Sequence, residues 1–204
     1  MQRNYNMLTR IVLLILGGTI SALGIASIAN SGLGLFGITA AYLGLSEVTG
    51  ISFALVNAIV EGSILIYVCF KGEGVGLAAI LSCTYVSFLI DKFMLILPHH
   101  WALVILGPLT MFGWSIMALS NMGEQASNVL TTVLVKRTGK SVTFSRTLIE
   151  SVYYITAILT ARKHLSILTL VLVLVTGKIL DMFYKLFKYD PAKANHSYLI
   201  KLKK

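Results

Sequence analysis

GEQASNVLTTVLVKRTGKSVTFSRTLIE, Gly123 to Glu150, is the stretch whose reading decides the fold. It places Glu124, Gln125, Ser127, Asn128, Arg146 and Glu150 inside a very apolar chain. An offset of 89 residues lays it without a gap on GLFGITAAYLGLSEVTGISFALVNAIVE, Gly34 to Glu61. Under that offset Gly18 meets Gly107, Gly24 meets Gly113, and Gly34 meets Gly123. Thr49-Gly50 meets Thr138-Gly139, Ser52 meets Ser141, and Glu61 meets Glu150. A repeat of this length fixes the architecture, because each copy must fold into the same unit.

Working outward, the chain has 204 residues, 56% hydrophobic and 12% charged, with mean hydropathy +0.83. A soluble domain carries about 25% charge. Ile11 to Ala29 is an uncharged run of 19 residues, and several later runs match it. A hydrocarbon core of about 30 Å takes roughly 20 apolar residues to cross, so these runs predict a polytopic membrane protein. The formal charge of +9 does not point to nucleic acid. Much of it gathers after the last apolar run, at Lys185, Lys188, Lys193, Lys201, Lys203 and Lys204. A basic segment beside a membrane helix reads as an orientation signal and a contact for anionic lipid. Cys69 and Cys83 lie in apolar runs without CxxC spacing and read as packing residues. Arg3, Arg10 and the small residues Ala26 to Ala29 imitate a cleavable signal. The twin of this segment, Trp101 to Met122, is mid-chain, so a retained helix is expected.

Six spans are predicted, at about 11–30, 51–70, 75–97, 101–122, 142–161 and 165–184. The third is expected to be broken at Asp91-Lys92 and stopped by Pro98. Two segments, 34–47 and 123–136, are too short to cross as helices. They read as re-entrant or half-helix pieces, shielded from lipid by their neighbours. Each half then has an odd number of crossings. The two halves therefore enter from opposite sides, as inverted repeats related by an axis in the membrane plane. The expected division is a cytoplasmic N-terminus at 1–10, a first membrane repeat at 11–97, a second at 98–187, and a basic cytoplasmic tail at 188–204. With the N-terminus inside, the inner segments carry Arg3, Arg10, Lys71, Lys136, Arg137, Lys140 and the tail, and the outer ones only Arg162 and Lys163. That is a positive-inside pattern. Full crossing by the short segments would give eight spans and a parallel repeat, and would leave the 48–50 loop cytoplasmic without a cation.

The candidate site residues follow from the repeat. Glu61 and Glu150 fall near the midplane, where a charge costs about 2.5–3.5 kcal/mol on insertion scales. They either flank a site for a cation, proton or amine, or play a structural part. In the structural case Glu150 pairs with Arg146 one turn away and Glu61 bonds to Asn57 or is protonated. Glu124, Gln125, Ser127 and Asn128 open the second short segment, where free N–H groups and the helix dipole favour an anion; the same side chains can instead cap those groups. Arg146, opposite Asn57 under the offset, can reach inward or snorkel to the interface. Asp91-Lys92 and Lys178 with Asp181 read as self-neutralising pairs, and His99-His100 as interface residues. No hydrolase, zincin or phosphate-loop motif is present in the sequence, so no enzyme, metal or cofactor is expected.

The small-residue first helix, Gly32-Leu33-Gly34, and the short helix closed by Val48-Thr49-Gly50-Ile51-Ser52 resemble bacterial YczE-type membrane proteins, and more distantly YitT-type proteins. Lys136-Arg137-Thr138-Gly139-Lys140-Ser141, followed by Arg146 and Glu150, is similar to that family's arginine-threonine-glycine turn. The resemblance spans about residues 10–187, lacks a proline after the first Gly-x-Gly, and has Asn128 in place of an acid. It implies a bacterial cytoplasmic membrane and names no function. The expected function is a small transporter or permease with a midplane site between the repeats, taking a small molecule or ion. The alternative is a non-transporting accessory protein acting through helix contacts with itself or a partner membrane protein.

Overall fold

The computed structural model describes residues 5–71, 73–160, 165–193 and 198–200. Arg3, Arg162, Lys163, Lys201, Lys203 and Lys204, which enter the charge asymmetry above, lie outside the described residues.

Eight helices run in order among those residues. They are α1 Met7–Ser31, α2 Gly37–Thr49, α3 Phe53–Phe70, α4 Leu77–Ile96, α5 Trp101–Leu119, α6 Ala126–Thr138, α7 Val142–Thr160 and α8 Ile167–Leu186. Five of them, α1, α3, α4, α5 and α8, are long and apolar enough to cross a membrane. At 19 residues α7 has the length, but Arg146, Glu150 and several Ser and Thr lower its apolar content. At 13 residues each, α2 and α6 extend about 20 Å, short of a bilayer core. Each starts about three residues later than its expected segment, because the Gly-led residues before it are extended.

The short helices end alike. Gly50 (φ 71°) and Gly139 (φ 67°), twins under the offset, take the left-handed conformation that closes a helix at little cost only in glycine. They also begin alike, since Gly34 (φ 155°) and Gly123 (φ 101°) turn the chain where another backbone presses close. A Cβ on Gly34 would meet the Thr169 backbone nitrogen at 3.0 Å, and one on Gly123 the Gly76 Cα at 2.8 Å.

Two expectations are corrected. Helix α4 continues through Asp91-Lys92, with the Asp91 carboxylate placed at the Ala54 N–H in the first turn of α3. Asp181 pairs with Lys185 at 2.7 Å, not with Lys178, since the i,i+4 spacing and the nearby helix end favour Lys185. As expected of an all-α membrane protein, the fold is helical, with one short strand pair beside the helices. Strand β1 (Val75–Gly76) pairs antiparallel with β2 (Tyr198–Ile200), so the C-terminal segment at 188–204 is in part docked.

Helices α1 and α5 pack antiparallel along a glycine seam. A Cβ on Gly24 would lie 2.5 Å from the Thr110 backbone nitrogen, and one on Gly113 would lie 2.5 Å from the Gly17 carbonyl oxygen. Ser21 and Thr110 are themselves twins, so the two contacts exchange under the offset. At one end of this pair Arg10 donates to the Ser120 (2.8 Å) and Asn121 (2.7 Å) carbonyls past the end of α5. Lys136 pairs with Glu73 (3.2 Å), and Tyr184 and Tyr189 reach Glu124. At the other end Asn30 donates to the Met94 (2.9 Å) and Leu97 (2.8 Å) carbonyls, and Ser166 to the Leu33 carbonyl (2.5 Å). A π turn at Ser82–Val86 interrupts α4 facing the centre, where such bulges often re-aim functional side chains. The Ser87 hydroxyl satisfies the loosened Ser82 (3.1 Å) and Cys83 (3.2 Å) carbonyls.

Candidate functional site at the centre of the bundle

A helix leaves its first N–H groups without partners, and in hydrocarbon each must be satisfied by protein. Neither short helix caps itself with a side chain: Phe36 precedes α2, and Gln125 precedes α6 without a cap bond. The missing acceptors come from the opposite half. Glu61, ninth residue of the 18 in α3, accepts the Ser127 N–H of α6 at 3.0 Å through Oε2. Glu150, ninth of the 19 in α7, accepts the Ile38 N–H of α2 at 3.2 Å through Oε2. Ile38 and Ser127 are twins under the same offset of 89 that joins Glu61 to Glu150. Each half's carboxylate thus caps the other half's short helix, where the positive end of the helix dipole favours it.

The second oxygens differ. Glu61 Oε1 accepts the Tyr42 hydroxyl at 2.9 Å, and Tyr42 in turn meets the Tyr153 hydroxyl at 3.3 Å. Glu150 Oε1 accepts from Arg146 Nη2 at 2.6 Å, an i,i+4 ion pair with both side chains fully buried. Arg146 Nη1 donates to Asn128 Oδ1 (3.0 Å) and Ser127 Oγ (3.2 Å). The guanidinium lies 4.6 Å from the centroid of the Trp114 ring, within cation–π range. Arg146 therefore reaches inward and does not snorkel.

The other candidates divide. Asn57 is buried on the Glu61 face, but its amide donates to Ser87 Oγ of α4, and the Asn57–Glu61 bond that the structural alternative offered is not found among the described residues. Tyr42 and Ser127 have taken both Glu61 oxygens. Gln125 is buried, its side-chain oxygen without a partner among the described residues, beside Asn57, Tyr42, Ser82 and Trp114 around a cavity of about 20 Å³. That volume holds about one water. Glu124 is not in the central cluster. It lies by the Arg10 end, buried, and accepts from Thr132 (2.5 Å), Tyr189 (2.5 Å) and Tyr184 (3.4 Å). A cavity of about 10 Å³ separates it from the half-exposed Lys136–Glu73 pair. Asn128 and Ser127 do sit at the α6 start, but they bind Arg146 and do not cap the helix.

Sequence reasoning missed Tyr42, Tyr153 and Trp114. Each looks like an ordinary aromatic on an apolar helix, and only tertiary placement brings it to a charge. Among the described residues no group of three His, Cys, Asp or Glu side chains converges, and Cys69 and Cys83 are free thiols. Replacing Tyr42 by phenylalanine removes one donor to a buried carboxylate. It should lower stability by about 1.5–3 kcal/mol, read as a fall in unfolding midpoint in lipid nanodiscs. An unchanged midpoint would show that Glu61 does not need that hydroxyl.

No curated protein and no solved structure matches the chain. The model of a family of unknown function, DUF6198, matches residues 8–185, most of the described helical chain, and the protein belongs to that family.

Proposed function

We propose that the chain is a small secondary transporter or permease of the bacterial cytoplasmic membrane, and not an enzyme. Its six spans would be α1, α3, α4, α5, α7 and α8, arranged as two inverted repeats that each carry a re-entrant half-helix. The observation that carries this reading is the reciprocal capping of α2 and α6 by Glu150 and Glu61. In transporters built from such repeats, half-helix N-termini near the midplane face anionic groups of the substrate, and the repeats rock about that site. Support for the inverted relation comes from the exchange of the Gly24–Thr110 and Gly113–Ser21 contacts under the offset. Support for cytoplasmic termini comes from charge. Arg10, Lys71, Lys136, Arg137 and Lys185 all belong to the end where Tyr189 meets Glu124. The basic residues beyond α8 would contact anionic lipid. The YczE-type resemblance agrees with this setting.

The second reading is a non-transporting accessory protein, acting with a second copy or another membrane protein. It is favoured by the sealing of the centre: Glu61, Glu150 and Arg146 are 0% exposed, and the cavity beside Asn57, Tyr42 and Gln125 is about 20 Å³. Side-specific thiol labelling separates the two. In a background without Cys69 and Cys83, Gln125→Cys and Thr39→Cys would each be challenged with an impermeant reagent from either side. Rocking halves predict that both positions label from both sides. A sealed accessory protein predicts protection from both, with a stoichiometric partner in pull-downs and no flux in proteoliposomes.

A further inference from the structure

Polar atoms at the centre do not balance. Arginine offers only donors, so the Asn128 oxygen must be the atom facing Arg146. That orientation turns Asn128 Nδ2 away from Arg146, buried and with no acceptor among the described residues. Arg146 Nε is a further buried donor without an acceptor among the described residues. Beside them stand the Ser127 N–H, the Arg146 Nη1 group and the Tyr42 hydroxyl, so donors converge on the start of α6 from three helices. Two of these donors, the Ser127 N–H and the Tyr42 hydroxyl, are taken by the Glu61 carboxylate, an anion that belongs to the protein itself.

We propose that the N-terminus of α6 is a binding site for a monovalent anion of carboxylate size, and that the Glu61 carboxylate is its resident stand-in. The exchange is one for one. A proton from the aqueous phase adds to Glu61, the neutral carboxyl releases the Ser127 N–H and turns aside, and the anion takes that N–H with Asn128 Nδ2 and Arg146. One negative charge is neutralised as another arrives, so the charge of the centre is unchanged. A cavity of about 20 Å³ lies beside Tyr42 of α2 and Asn57, and Asn57 is one turn from Glu61 on α3.

Glu61 fits this part better than Glu150. The Glu150 carboxylate is tied to Arg146 at 2.6 Å, and its removal would break a buried ion pair. Glu61 is held by two neutral donors. The α6 start supplies Ser127 and Asn128, whereas their twins at the α2 start are Ile38 and Thr39, so only one of the two positions is polar there. The titratable and charged groups facing Glu61 are Tyr42 from α2, Cys83 from α4, and Arg146, Glu150 and Tyr153 from α7. Of these Arg146 is the cation, and it stays in place during the exchange.

The biological use of the exchange rests on the transport reading, but binding can be tested without it. The sequence has two tryptophans, so Trp101→Phe leaves Trp114, stacked under Arg146, as a reporter. Sodium formate and sodium nitrate would be titrated into the full chain in nanodiscs, with sodium gluconate holding ionic strength. A saturable change in Trp114 emission is expected, tightening about tenfold per unit fall in pH over the range where Glu61 titrates. Glu61→Gln, which mimics the neutral carboxyl, should bind with no pH dependence, and Asn128→Asp should abolish binding while Asn128→Ala weakens it. No saturable response in the parent or in Glu61→Gln would overturn the site, as would a Glu61→Gln protein that keeps the parent's pH slope. Binding without flux in proteoliposomes supports the site while removing the transport reading. Flux of some other solute with no anion binding does the reverse.

Discussion

Replacing Arg146 by methionine is expected to cost about 3–5 kcal/mol, the penalty of leaving a buried charge without its partner. The side chain is fully buried, and its loss would strand Glu150 Oε1, Asn128 Oδ1 and Ser127 Oγ at once. Methionine fills much of the space over Trp114, so the deficit should be electrostatic more than steric. The double replacement Arg146→Met with Glu150→Gln should therefore recover much of the loss, because glutamine keeps an acceptor for the Ile38 N–H without the charge. Unfolding midpoints of the three proteins in nanodiscs provide the check. A single variant as stable as the parent would mean that the pair contributes nothing at this position.

The second large effect concerns the α1–α5 seam. Gly113→Leu is expected to cost at least the roughly 1–3 kcal/mol of ordinary overpacking, and to prevent the two helices from docking as they do. The new side chain would meet the Gly17 carbonyl and the Ser21 nitrogen, which are backbone and cannot turn away. Membranes offer little hydrophobic drive to hold helices together, so the loss of close van der Waals contact is felt in full. Gly24→Leu should behave alike, since it makes the twin contact. Gly62→Leu is the control, because nothing lies within 4 Å of a Cβ there. If Gly113→Leu and Gly62→Leu yielded equal amounts of folded protein, the seam would not be structurally required.

What the sequence reveals here is what a single helix or a single turn encodes. The apolar runs, the short segments, the Gly50 and Gly139 caps and the Arg146–Glu150 pair all depend on neighbours within a few residues. The offset of 89 added long-range content by placing Glu61 and Glu150 at matching depth. It could not say which donors each would find. The i,i+4 reading that joins Arg146 to Glu150 also joined Asn57 to Glu61. It failed there because Ser87, aimed by the π turn in α4, claims the asparagine amide. Tyr42 and Ser127 outcompeted Asn57 from other helices, and nothing within α3 announces them. Glu124 shows the same limit: one residue before Gln125, it is held away from the centre by Thr132, Tyr184 and Tyr189. The strand pair of Val75–Gly76 with Tyr198–Ile200 joins segments too short to carry a periodic signal.

The central claim is that each half's glutamate caps the other half's short helix, and amide resonances report it most directly. Protein labelled with nitrogen-15 at isoleucine and serine would be compared with its Glu61→Gln and Glu150→Gln variants, assigning Ile38 and Ser127 by single substitution. An amide proton donating to a carboxylate resonates downfield. Glu61→Gln should therefore shift the Ser127 amide upfield and leave Ile38 in place. Glu150→Gln should shift Ile38 and leave Ser127. Variants that move neither amide, or that move the one in their own half, would contradict the account.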